Sequence, residues 1–406
     1  MKRTLSLIVA KHSLFYQICI YSVFLFIYFY LRLRGIQRPF WQDELISLST
    51  LNANILNNPF YFGVSTNLPF FYYILKIYSY FLNTFNISMQ YYRILPLIFN
   101  LATLVYLSYH TKKRWGLSVS IICSLFFCLS PIQVYYSLEL RAYSLIQLLL
   151  CIQAFKFLDI LNNKNNYSSF LLVSILSILT HYCAYIMIAG EFLLLIILKV
   201  LKKDIKLKLF LNFSLLLFIS LGIFLTMGQS QQFSKSINFL SGYNRNITIP
   251  DMISFSSLVR IKEVITFYYF FGLYYFQADP WIQFSVKKLS LLLIFIGLLF
   301  IYKNRDKHAL RDISMLFSLL IVNLTISLFG EYLGLYFFGG RHIMPFSFLI
   351  YIYLSWVLSV LFRKSKLTAF LIVYIFFTLV LFSFCSIRGV PETEQGNLIT
   401  QCMKRL

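Results

Sequence analysis

The sequence predicts an all-α, polytopic membrane protein. Hydrophobic residues make up 59% of its 406 positions and charged residues only 12%. A soluble domain carries about 45–50% apolar and about 25% charged residues. The apolar residues also fall in blocks of about 20, the number of helical residues that crosses a hydrocarbon core about 30 Å thick. Thirty-six Lys and Arg stand against 14 Asp and Glu, a net charge of +22, and most of them sit in short loops between the blocks. That placement reads as topology signalling, not as a nucleic-acid surface.

Hydropathy places about eleven spans. They run roughly over 13–33, 92–110, 117–135, 139–160, 168–182, 184–200, 209–227, 286–302, 313–330, 343–362 and 367–385. The first follows a basic start and is the apolar stretch from about Ser13 to Leu31. That stretch is long for a cleavable signal, and no small-x-small site follows it, so it is expected to stay as a helix. The basic loops then alternate. Lys2/Arg3/Lys11, Lys112-Lys113-Arg114, Lys164, Lys199 through Lys208, Lys303 through Arg311 and Arg363-Lys364-Lys366 fall on one side, which the positive-inside rule makes cytoplasmic. The N-terminus is expected inside and the C-terminus outside.

The whole chain, 1–406, reads as one integral-membrane domain with no soluble domain. Two long segments, 34–91 and 228–285, fall on the outer face. They mix aromatics with Asn, Ser and Pro and read as interfacial helices at headgroup depth. The seven Cys are scattered without metal-ligand or disulfide spacing. Gly is sparse, at 15 residues. Broken helices of the kind transporters use are therefore few.

Four constellations gather at the outer rim. The first is Arg32 to Glu44, with Arg34, Arg38, Asp43 and Glu44 just past the first span. It is either a solvated loop with snorkelling arginines or a site. As a site, a carboxylate takes a proton from an attacking hydroxyl or amine, and arginines hold a phosphate. The second is Pro131 to Ser144, where Glu139 and Arg141 fall at the depth of Asp43. The structural alternative makes Ser137 a helix cap and Glu139 a dipole partner. The third is Thr180-His181-Tyr182, and the fourth Gly339-Gly340-Arg341-His342-Ile343-Met344-Pro345. Arg341 is either a headgroup anchor or a second phosphate contact. No Walker A, GxGxxG, HExxH or GxSxG pattern occurs. A lipid-linked donor entering from the outer leaflet therefore fits better than a cytosolic nucleotide sugar.

With these residues the chain resembles the membrane-embedded GT-C glycosyltransferases of family thirty-nine, the protein-mannosyltransferase and aminoarabinose-transferase type. The resemblance rests on Asp43-Glu44, Pro69 through Ile74, Tyr91 through Pro96, Tyr136 through Leu145, His181-Tyr182 and Arg341 through Pro345. The family's His-Pro-Pro is Asn67-Leu68-Pro69 here, and its Arg-Tyr at the tenth span is Arg341-His342.

The resemblance implies an inverting glycosyltransferase using a polyprenyl-phosphate sugar and an extracytoplasmic lipid, glycan or protein acceptor. Asp43 would be the general base and Glu44 would orient it or hold water. Arg141, Arg341 and Arg38 would hold the donor phosphate. Tyr72, Tyr73, Glu139, Tyr143, His181 and His342 would line the cavity. No cofactor is required on this reading; Asp43 and Glu44 could bind a divalent metal. The rival readings are an O-antigen or capsule polysaccharide polymerase and a non-enzymatic lipid-glycan transporter. The expected home is a bacterial inner membrane, with the site on the outer face.

Overall fold

The computed structural model describes residues 2–52, 68–162, 167–201, 207–226, 288, 292–299, 308–332, 343–365, 370 and 374. Among them every regular element is helical. In chain order these are α1 (Lys2–Leu33), α2 (Gln42–Ser49), α3 (Pro69–Thr84), α4 (Ile94–Trp115), α5 (Leu117–Leu129) and α6 (Pro131–Tyr136). After them come α7 (Tyr143–Leu161), α8 (Tyr167–Ile178), α9 (Cys183–Val200), α10 (Leu207–Thr226), α11 (His308–Tyr332) and α12 (Ser347–Lys364). The protein is an all-α integral membrane protein.

Six helical stretches among the described residues are long and apolar enough to cross a membrane. They are Phe15–Leu33, Met89–Trp115, Tyr143–Leu161, Cys183–Val200, Leu310–Ser327 and Met344–Arg363. The apolar helices α5 and α8 are shorter, with 13 and 12 residues. Most of the span expected at 367–385, about half of that at 286–302 and the whole segment 228–285 lie outside the described residues.

Two expected spans begin or end differently. The stretch 117–135 is broken at Ser130, whose extended backbone (ψ 123°) ends α5. Pro131 then opens α6 at a position where its missing N–H is no loss. The expected span 139–160 starts only at Tyr143, so Glu139 and Arg141 lie in the turn between α6 and α7. Ser137 is not an N-cap: its hydroxyl donates back to the Val134 carbonyl at 2.9 Å, closing the end of α6.

Packing is organised around α12, which is buried all round its circumference from Ser347 to Ser359. A helix without a polar face belongs inside a bundle. Against it lie α5 and α11, and α4 joins α5 and α7. The α4–α5 hairpin turns on Gly116, at φ 95° and ψ 173°, a backbone state that only glycine adopts without strain. By contrast α1 turns Phe15, Ile18, Val23 and Phe26 outward. In a bilayer that surface meets acyl chains.

A buried amide ladder threads the bundle. Tyr28 donates to Asn100 Oδ1 at 2.8 Å, and Asn100 Nδ2 donates to Gln133 Oε1 at 2.9 Å and Gln147 Oε1 at 3.4 Å. Gln133 reaches Ser347 Oγ at 2.7 Å, and Gln147 reaches the Met344 carbonyl at 2.7 Å. Five elements (α1, α4, α6, α7 and the start of α12) thus satisfy one another's polar groups where water is excluded.

The two ends of α4 carry different chemistry. At its last turn Arg114 pairs with Asp159 of α7 at 2.6 Å and Asp312 of α11 at 2.7 Å. At its start stands Arg93. Twenty-two helical residues separate the ends by about 33 Å.

Candidate active site

The site is assembled around the turn that leaves α1. Arg32 is fully buried and donates to the Cys128 carbonyl at 3.0 Å and the Phe127 carbonyl at 3.3 Å. These are open carbonyls in the last turn of α5, where a cation is favoured. This fixes where the chain exits the bundle. Gly35 then passes close to the α6–α7 turn: a Cβ there would sit 2.7 Å from Leu138 Cδ1.

The helix α2 opens at Gln42, with Trp41 before it. Its N–H groups and the carboxylate three residues on bond reciprocally: Glu44 N donates to Trp41 O at 3.0 Å, and Trp41 N to Glu44 Oε2 at 3.3 Å. Successive helical residues point about 100° apart, so Asp43 and Glu44 face different surroundings.

Glu44 faces inward and is fully buried. Arg93 grips it with Nη2 at 2.7 Å from Oε2 and Nε at 2.9 Å from Oε1. Leu140 N adds a bond to Oε1 at 3.1 Å. With the Trp41 N–H, four donors fill the roughly four lone-pair positions of a carboxylate. Of the two parts expected for Glu44, orienting Asp43 remains open, and holding water has no lone pair left to use.

Arg93 also donates to the carbonyls of Ile36 at 2.7 Å, Pro39 at 2.9 Å and Arg38, and lies over the Phe40 ring at 4.4 Å. One guanidinium therefore shapes the whole 36–40 segment. The sequence offered Arg93 only as part of the Tyr91–Pro96 resemblance. No signal in the sequence separates it from Arg38 or Arg141 as the partner of one acid.

Asp43 faces the other way, with its side chain 20% exposed. Arg141 Nη2 lies 3.9 Å from Asp43 Oδ2, and Arg141 Nη1 donates to the Asp43 carbonyl at 3.4 Å. Arg141 comes from the turn 137–142, which is tightly tied. Glu139 N donates to Tyr136 O at 3.3 Å, Arg141 N to Glu139 O at 2.7 Å, and Leu140 N to Glu44 as above.

Tyr72 of α3, Tyr143 of α7, Asp43 and Glu139 are all near enough to act on the Arg141 charge. Arg38, half-buried, stacks over the Tyr135 ring at 4.8 Å. From there an aromatic series runs Tyr135–Tyr136 (5.1 Å), Tyr136–Tyr143 (5.6 Å) and Tyr143–His181 (5.4 Å), each edge to face. His181 is buried and its Nδ1 accepts the Cys183 N–H at 3.2 Å. Tyr73 is half-buried in the apolar cluster of Phe71, Tyr72, Leu75 and Phe40. The backbone bond Phe70 N to Leu179 O, 3.0 Å, ties α3 to the segment bearing His181.

Arg341 and His342 lie outside the described residues. The described neighbour Met344 packs with Ile132, Tyr136 and Tyr143. Asp43, Glu44, Arg38, Glu139, Arg141, Tyr72 and Tyr143 thus come together in one place, and His181 stands one ring beyond.

Several buried polar atoms here have no hydrogen-bond partner among the described residues: Arg38 Nη2, Trp41 Nε1, Arg141 Nε and both carboxyl oxygens of Glu139. Three are donors on or beside cations. Burial pushes the Glu139 carboxyl up to about 8; Arg141 and Arg38 pull against that, and Glu44 and Asp43 add to it. The donors suit an anion with several acceptor oxygens, such as a phosphate. A divalent cation fits less well. Among the described residues no group of three or more His, Cys, Asp or Glu is placed to hold one. Glu44 is filled, and Asp43 and Glu139 both have Arg141 beside them.

No protein-family model and no curated protein matches the chain. Among solved structures it is similar to the Archaeoglobus fulgidus oligosaccharyltransferase, solved in complex with zinc and sulfate. The TM-score is 0.52 at 13% identity, over 91% of this chain and 52% of that one. The chain spans about half the length of that protein. The likeness is one of fold, an all-α membrane-embedded bundle.

Proposed function

We propose that the protein is an inverting glycosyltransferase of the family-thirty-nine type. It moves a sugar from a polyprenyl-phosphate donor to a lipid, glycan or protein acceptor outside the cytoplasm. The observation that carries this is the pair Asp43–Arg141: a part-exposed carboxylate 3.9 Å from a buried guanidinium.

Each residue then has a definite task. The acceptor O–H or N–H gives its proton to Asp43 as its heteroatom bonds to the anomeric carbon. The bond from that carbon to the phosphate oxygen breaks on the opposite face, so the configuration inverts. Both electrons of that bond leave with the lipid phosphate. Arg141, Arg38 and the Trp41 indole N–H neutralise and bond the departing oxygens, and Arg341 is the further cation expected there. Preorganised donors at a developing anion are worth about 3–4 kcal/mol each in the barrier. Glu44 and Arg93 brace the loop that holds Asp43. Tyr72, Tyr143 and His181 wall the cavity.

The outer face is supported by the opposite character of the two ends of α4. Arg114 follows Lys112 and Lys113 at one end, where positive charge marks the cytoplasm. Arg93 and the site stand at the other. A bacterial inner membrane is the matching home.

The test compares lipid-linked saccharides by mass spectrometry in membranes from wild type, Asp43→Asn and a deletion strain. The amide keeps the shape of Asp43 and cannot take a proton. Transfer should vanish in Asp43→Asn while protein level and topology stay. Full product from Asp43→Asn would refute the reading. Accumulation of a long repeat-unit glycan, instead of a monosaccharide carrier, would favour a polymerase.

A further inference from the structure

Glu139 has no part in the proton transfer just described, yet its placement is unusual. Its side chain is fully buried and, among the described residues, neither carboxyl oxygen has a hydrogen-bond partner. A buried carboxylate normally collects donors, as Glu44 does with four. The backbone of Glu139 is held on both sides by the Tyr136 and Arg141 bonds, so the carboxyl is placed and not simply loose. Arg38 from the segment after α1, Asp43 and Glu44 from α2, and Arg141 from its own turn all act on it. Tyr72 of α3 and Tyr143 of α7 stand behind Arg141.

A charged Glu139 would be a third anion beside Asp43 and Glu44. A phosphate bound to Arg38 and Arg141 would bring a fourth. Burial already disfavours the charged form of Glu139, and further like charges in a water-poor site add to that, so this acid keeps its proton.

We propose that Glu139 works as a neutral carboxylic acid, donating its O–H to a non-bridging oxygen of the lipid phosphate. This inference rests on the donor-phosphate reading above. It gives Glu139 a binding role distinct from the base role of Asp43. It also explains why the cradle contains an acid: an O–H completes the set of donors without adding charge. Phosphate affinity is then linked to pH. Below about 8 Glu139 is already neutral and binding needs no proton. Above it, each bound phosphate must bring a proton onto Glu139, so affinity falls by up to about tenfold per pH unit.

The experiment uses the full-length protein in lipid nanodiscs and geranyl phosphate as probe, with dissociation constants measured from pH 7.5 to 9.5. The probe's own phosphate has finished titrating by about pH 7.5. Wild type should weaken steeply above about 8, and Glu139→Gln, which keeps a donor and cannot ionise, should give a flat profile at whatever affinity it has. Calorimetry of wild type in two buffers of different ionisation enthalpy should read an uptake approaching about one proton per bound phosphate at pH 9. That measurement needs no variant. Parallel profiles for wild type and Glu139→Gln, or no proton uptake, overturn the inference and leave the function standing. Recovery of affinity by added magnesium instead of by lower pH overturns it too. Absence of saturable binding in wild type, or binding untouched by Arg141→Ala, takes down the inference together with the reading beneath it.

Discussion

Arg93 closes a two-point ion pair on Glu44, Nη2 to Oε2 at 2.7 Å and Nε to Oε1 at 2.9 Å, and both side chains are withdrawn from solvent. The pair joins the start of α4 to the first turn of α2 and, through Leu140, to the turn that carries Glu139 and Arg141. It is the brace on which the rest of the site hangs.

Breaking that brace from either side should therefore destabilise the protein, unlike Asp43→Asn. Removing one partner of a buried pair costs about 3–5 kcal/mol. Glu44→Ala and Arg93→Ala should each lower the thermal midpoint in detergent, and the double variant should fall well short of their sum. Arg93→Lys should fare little better, because an ammonium cannot reach Glu44 twice and three carbonyls as well. Additive losses would show that the two residues are not coupled.

Arg141 should separate charge from shape. A bond to a charged group is worth about 1.5–3 kcal/mol, so Arg141→Ala should raise the donor KM by about ten- to a hundredfold. Arg141→Lys keeps the charge, loses the planar fork and should fall between. Wild-type kinetics in both would remove Arg141 from the site.

Gln147 links α7 to the approach of α12 through the Met344 carbonyl and Ser347 Oγ, at 2.7 and 3.1 Å. Gln147→Leu leaves that carbonyl and the Asn100 amide short of a partner. Hydrogen bonds inside membrane proteins average about 0.6 kcal/mol, with larger values where the partner stays buried. The expected loss is about 1–2 kcal/mol. Because Met344 packs on Tyr136 and Tyr143, activity should fall at temperatures where the variant is still folded. Chemical unfolding and transfer rates on the same samples decide it.

At the other end of α4, Arg114→Ala removes the cation that Asp159 and Asp312 share. It should cost about 2–3 kcal/mol of stability. Geranyl phosphate affinity of the folded fraction should stay at the wild-type value, since the site is about 33 Å away. A large affinity change would mean that the two ends communicate.

Gly190 allows α11 to approach α9: a Cβ there would stand 1.9 Å from Asn323 Oδ1. Gly190→Ala should push the two helices apart and lower the thermal midpoint. An unchanged midpoint would mean that Asn323 simply turns away.

Much of this was legible from sequence because it depends on local quantities. Apolar blocks of helical length and alternating basic loops are additive along the chain, and they determined the fold class. The position of Glu139 and Arg141 before α7, instead of inside it, was not legible. Pro131 announces the restart of a helix, but nothing in 137–142 says how far the turn extends.

The identity of each partner was decided by tertiary structure alone. Asp43 and Glu44 are adjacent acids of like chemistry, and Arg38, Arg93 and Arg141 are equivalent cations in a string of letters. A rotation of about 100° between neighbours in α2 sends one acid toward Arg93 and leaves the other beside Arg141. Pairing depends on distances between separate parts of the fold, and a sequence holds distance only along the chain.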